Sequence, residues 1–192
     1  MSEDFQAAQV LDFWFGEGGE YGKRQNRWFE KDPVFDAQIR ARFLPLYEEL
    51  AAGKHVEWLD RARNCLARIV VLDQFPRNMF RGSPRAFAAD RLALEAARHA
   101  VERGYDRDML PVERMFAYLP FEHSESLEDQ LKACKLTAPL DAFPETCDAH
   151  RYAVRHREIV QRFGRFPHRN AILARASTPE ELEFLKQPGS GF

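Results

Sequence analysis

Three ionisable residues stand where apolar ones belong. Asp73 continues the line Leu59, Ala62, Leu66, Ile69; Asp90 interrupts Phe87, Leu94, Ala97, Val101; His156 sits among Ala149, Tyr152, Ala153, Val160 and Phe163. At helical spacing each line is one face of an amphipathic helix. A carboxylate on such a face must be paired or protonated, because burying a bare charge is costly. Arginines flank the same stretches: Arg77 and Arg81 follow Asp73, and Arg165 and Arg169 follow His156. Between them runs the polar segment Phe121-Glu122-His123-Ser124-Glu125. The expectation is that these groups converge, with Asp73, Asp90, Glu122 and Glu125 facing the four guanidiniums.

Such a cluster can do one of three things. As an internal ion-pair network it would fix how helices pack and cap their ends. With one or two arginines left over in a groove it would bind a small anionic molecule or a peptide. The residues for that role are Asp73, Arg77, Asn78, Arg81, Asp90, Glu122, His123, Glu125, Arg165, His168, Arg169 and Asn170, with Trp14, Trp28 or Tyr118 as an apolar wall. With His123, His156 or His168 as proton carrier, oriented by Asp73 or Glu122, it would be an acid–base enzyme. No GxSxG, P-loop, GxGxxG or HExxH motif adds a named chemistry. A metal site from Glu122, His123, His156 and His168 has little support, since His150 and His156 are six apart on different helix faces and no ExxH pair occurs, and no metal and no cofactor is expected.

The elements that must position these groups are helices. Ser2 can cap a first helix ending at Gly16, and Asp32-Pro33 is a strong start for a second, with Pro45 as a kink inside it. A third is expected over 57–74, a fourth from Ser83-Pro84 to Gly104, and a short one from Pro111 that stops at Pro120. Leu127, Leu131, Cys134 and Ala138 give the next an inward face; another spans about 145–163 and ends at Gly164. Thr178-Pro179-Glu180-Glu181 is a capping box opening the last. No run alternates at period two, so no strand is expected. The reading is all-α, seven to nine helices in antiparallel pairs, one domain over 1–186 and a disordered tail over 187–192.

The corner Phe75-Pro76-Arg77-Asn78, then Arg81, then Ser83-Pro84, is echoed by Phe166-Pro167-His168-Arg169-Asn170, then Arg175, then Ser177-Thr178-Pro179. These blocks, with Val10-Leu11-Asp12-Phe13-Trp14-Phe15-Gly16 and Tyr118-Leu119-Pro120-Phe121-Glu122-His123-Ser124-Glu125, resemble the signature of the bacterial domain-of-unknown-function 924 family. The resemblance implies an all-helical fold similar to tetratricopeptide-repeat proteins. It implies no activity.

Composition narrows the remaining classes. The net charge is -2 and the pI about 6.3, so nothing pulls the chain globally towards nucleic acid or an anionic membrane. Arg151, Arg155, Arg157, Arg162 and Arg165 crowd one helix, which reads as a solvated face. The three cysteines, Cys65, Cys134 and Cys147, are scattered and unpaired in sequence, as in a reducing cytoplasm. No leader and no membrane-length apolar run is seen, so a cytoplasmic location is expected. A homodimer is one option, though no seam is written in the sequence.

Overall fold

The computed structural model describes residues 3–191, of Glu3 the backbone alone. Ser2, expected as the first cap, lies outside them. Among the described residues there are eight α-helices and no strand: α1 (Glu3–Phe15), α2 (Pro33–Ala51), α3 (Ala62–Met79), α4 (Asp90–Glu102), α5 (Pro111–His123), α6 (Leu127–Thr137), α7 (Ala149–Phe163) and α8 (Pro179–Leu185). Short 3-10 turns fill most of the connections. From α2 to α6 each helix packs on the next, the neighbour-on-neighbour pattern of helical arrays, and α6 packs on α7 in turn.

The centre of the molecule is α3, which touches α1, α2, α4 and α5. Cys65, Leu66, Ala67, Ile69, Val70, Val71, Leu72 and Phe75 are all buried. A helix that is apolar all round has no solvent face. Asp73 is therefore sealed in on every side, at 0% exposure, and not merely on one face.

Two prolines do not end their helices as expected. Pro76 lies within α3 and Pro120 within α5. An interior proline costs about 3 kcal/mol. Burying a large apolar side chain returns roughly 1.5–3 kcal/mol, and Met79, Phe80 and Phe121 beyond these prolines are all buried. Packing thus outweighs the lost backbone bond. The consequence for the site is direct: Glu122 and His123, expected in a polar turn, form the last turn of α5 and point into the protein.

Other starts follow the sequence. Asp32 accepts from the backbone N–H groups of Val34 and Phe35, and Thr178 and Glu181 form the capping box. Ser83 accepts from the backbone N–H of Arg85 but caps only a 3-10 turn over Pro84–Phe87, and α4, expected from Ser83-Pro84, begins at Asp90. On α6 the inner face is Asp129, Gln130, Ala133, Cys134 and Thr137, so Leu127 and Leu131 are exposed, against expectation. Tyr152 on α7 is likewise exposed, whereas His156 is buried. Residues 187–191, expected as a disordered tail, lie against α7: Arg155 donates to the carbonyls of Pro188 and Gly189, and Ser190 Oγ donates to that of Leu185 at 3.1 Å. Gly189 has φ +72°, and a Cβ there would run into the Arg155 guanidinium.

Candidate functional site

The two proline-marked corners meet at one carboxylate. Arg77 grips Asp90 with both prongs, Nη1 to Oδ1 at 2.8 Å and Nη2 to Oδ2 at 3.1 Å. Arg169 arrives from the far end of the chain and donates from Nη1 to Asp90 Oδ2 at 3.3 Å. Both guanidiniums lie over the ring of Phe87, at 5.7 Å and 4.7 Å, and Phe166 covers Arg169 at a further 4.7 Å. Arg169 thus lies against two aromatic rings, buried, with its Nε holding no hydrogen-bond partner among the described residues.

Beneath them sits a second set of contacts. Arg77 Nη1 also donates to the Asp73 carbonyl at 2.6 Å and stands 3.4 Å from the Asp73 carboxylate. Asp73 Oδ1 accepts from His123 Nδ1 at 2.7 Å, and its Oδ2 accepts from Gln74 Nε2 at 2.5 Å. Next to His123 on α5, Glu122 is buried with Oε2 lacking a hydrogen-bond partner, 3.6 Å from His156 Nδ1. That nitrogen hydrogen-bonds the Tyr152 carbonyl at 2.8 Å. It therefore carries the proton of a neutral imidazole.

These groups open onto a cleft of about 730 Å³, the size of a site for a small molecule. The apolar and aromatic part of its lining is Trp28, Phe29, Phe87, Met115, Leu119, Tyr152 and Ile172, with two alanines. The lining carries five basic side chains (Lys31, Arg77, Arg81, Arg155, Arg169) against three acids (Glu30, Glu122, Asp148). Gly189 and Gly191 of the C-terminal segment close one edge.

Burial sets the protonation states. Removal from water pushes the Glu122 carboxyl up to about 8, and the negative charge of Asp73 adds to the rise. It pushes His156 down to about 3 and His168 down to about 4. His123 is lowered by burial and by Arg77, with Asp73 pulling the other way. Burial would raise Asp73, but Arg77, His123 and Gln74 together hold it below the usual carboxylate range. Burial and the neighbouring Arg77 bring Arg169 down to about 10. At neutral pH Asp73 is therefore an anion, and Arg77 and Arg169 are cations.

The expected convergence is therefore uneven. Arg77, Asn78, Arg81, Glu122, His123, His156, His168 and Arg169 line the cleft, and Asp73 and Asp90 lie directly beneath or beside them. Arg165, Asn170 and Glu125 do not. Arg165 forks onto Glu181 at 2.6 and 2.8 Å, Asn170 donates to Ser177 and Glu181, and Glu125 is held by Arg175 and the Phe166 backbone N–H. These three pin the second corner, as Asp36 pins the first by accepting from Asn78 and Arg81. Of the expected apolar wall only Trp28 faces the cleft. Trp14 is in the core, and Tyr118 is buried with its hydroxyl donating to Asp106. Phe87, Phe166 and Gln74 also take part, and the sequence marks them only by their place next to a corner, which spacing does not rank. Among the described residues no group of three or more His, Cys, Asp and Glu is set to hold a metal ion, and no described helix is long and apolar enough to cross a membrane.

Comparison with curated proteins returns no match. A solved structure is similar over nearly the whole chain: the protein of unknown function ATU0120 from Agrobacterium tumefaciens, 40% identical, with a TM-score of 0.87, covering 96% of this chain and 99% of that one. The blocks that carry Asp73, Glu122, His123 and Arg169 all fall within residues 10–189, the span matched by the family model for bacterial proteins of unknown function, DUF924, and the chain belongs to that family.

Proposed function

We propose that the cleft is the active site of an acid–base enzyme acting on a small anionic substrate. His123 serves as the base through Nε2, Asp73 orients it through Nδ1, and Arg169 with Arg77 holds the negative charge. The observation that carries this reading is the 2.7 Å Asp73–His123 contact in the wall of an open cleft. A carboxylate on Nδ1 fixes the tautomer that leaves a lone pair on Nε2, and it stabilises the imidazolium that forms on proton abstraction. A sealed network would not need an aromatic-walled cavity over its histidine.

A binding module without chemistry is the second reading. It is favoured by the sparse neutralisation of Arg169, whose side chain makes, among the described residues, only the 3.3 Å hydrogen bond to Asp90. The two readings share the ligand and part at turnover. The experiment is a turnover screen over small carboxylates and phosphate esters, with His123→Gln and Asp73→Asn run alongside. Turnover lost in both variants supports the enzyme. Binding without turnover returns the site to the second reading, and neither binding nor turnover removes both.

A further inference from the structure

Resting on the assignment of the cleft as a site for an anion, we propose that its ligand is a monocarboxylate with an aromatic or acyl body, seated with its carboxylate on the open edge of Arg169 and drawing a proton onto His123 as it binds. Three observations lead there. The guanidinium of Arg169 lies 4.7 Å from the ring centres of both Phe87 and Phe166, lines the cleft, and keeps a buried Nε with no hydrogen-bond partner among the described residues, which leaves one edge to a ligand. A planar carboxylate matches that edge. The lining of the same cleft includes Leu119, Met115, Tyr152 and Trp28, and so can take a hydrophobic body.

Charge balance selects one negative charge over two. Asp73 and Asp90 already face Arg77 and Arg169, and an anion placed on these largely buried side chains must be compensated. His123 supplies that compensation by taking one proton. A phosphate dianion would need a second, and the groups facing His123 offer none readily: Asp73 and Arg77 from α3, Asp90 from α4, Glu122 from its own helix, His156 from α7 and His168 from the 167–169 turn. Of these only His156 and His168 could accept a proton without losing an ion pair, and both are buried beside the Arg169 cation.

The test is calorimetric titration of the wild-type protein with benzoate, benzamide and phenyl phosphate, at about pH 6 and about pH 8, in two buffers of different ionisation heat. Benzoate should bind about ten- to hundredfold more tightly than neutral benzamide, take up a proton, and bind more weakly at the higher pH. Arg169→Gln should reduce benzoate to the level of benzamide. If that variant does not fold, Arg169→Lys and the 15N signals of His123 in the wild type decide: benzoate must move His123 towards imidazolium. Benzoate binding no tighter than benzamide, phenyl phosphate binding tighter than benzoate, or benzoate binding without change at His123 overturns the proposal. In the anion complex His123 is an imidazolium, so it enters turnover as the acid and acts as base only after giving that proton to the substrate; turnover and its loss in His123→Gln decide that role separately.

Discussion

Arg77 and Arg169 close on the same carboxylate, Asp90, from two corners that carry the same sequence order. In each corner the asparagine after the arginine also reaches a carboxylate that a second arginine grips: Asn78 and Arg81 on Asp36, Asn170 and Arg165 on Glu181. The echo in the sequence is thus only partly an echo in structure: both corners deliver an arginine to the shared acid, but Arg175, which matches Arg81 in order, grips Glu125, and the arginine on Glu181 is Arg165, ahead of its corner. The copies differ in backbone, since Pro76 is inside α3 and Pro167 opens a 3-10 turn after α7 has ended.

That sharing makes Asp90 a keystone. Asp90→Asn leaves two neighbouring guanidiniums with no common counter-charge, one of them almost wholly buried. Breaking such a pair costs about 3 kcal/mol or more. Urea unfolding should show that loss, and Asp90→Glu should recover part of it.

Asp73→Asn removes the group that fixes the His123 tautomer. In the wild type His123 carries its proton on Nδ1, facing Asp73. 15N NMR of histidine-labelled protein should show that tautomer at neutral pH and a shift towards Nε2–H in the variant, with a further fall in the His123 pKa because one raising influence is gone. An unchanged tautomer would mean that Asp73 does not orient the ring.

Glu122 makes the fold weaker as pH rises. Its folded value, about 8, stands above the ordinary 4.5, so the unfolded chain releases this proton first. Stability is intact below about 4.5 and declines by at most ~1.4 kcal/mol per pH unit up to about 8 from this group alone. Glu122→Gln should therefore have a flatter stability profile over that window. Denaturant midpoints taken across the range check it, and parallel profiles would count against a neutral Glu122.

The histidines act in the opposite direction. His156 and His168 are held neutral in the fold, at about 3 and about 4, against an ordinary 6.5. The unfolded chain takes up these protons first as pH falls. Stability is fully present above about 6.5 and is lost progressively down to the folded values. His156→Gln should lessen the slope of stability against pH in that window by up to one proton, measured by the same unfolding series.

Gly189 ties the C-terminal segment to Arg155 at the cleft edge. Gly189→Ala meets both a left-handed backbone and the Arg155 guanidinium, so the segment should detach. Hydrogen exchange at residues 187–191 should rise while the helices keep their protection, and the global stability should change by less than about 1 kcal/mol.

The sequence by itself determined the helical class, the caps at Asp32, Ser83 and Thr178, and the presence of Asp73 and His156 on buried faces. Each follows from local chemistry or from periodicity, which a single strand of text carries. It also pointed to both arginine-bearing corners. Only the tertiary structure decided which arginines serve the cleft. Arg169 and Arg165 are four apart and alike in type, yet one enters the cleft and the other is spent on Glu181, because the turn at 167–169 sends them in different directions. The same holds for Glu122 and His123. Their inward turn exists because packing carries α5 past Pro120, where the local signal says the helix should stop. Periodicity reports which face of a helix is buried; which buried groups meet depends on contacts between residues far apart in the chain, and those are fixed only when the helices pack.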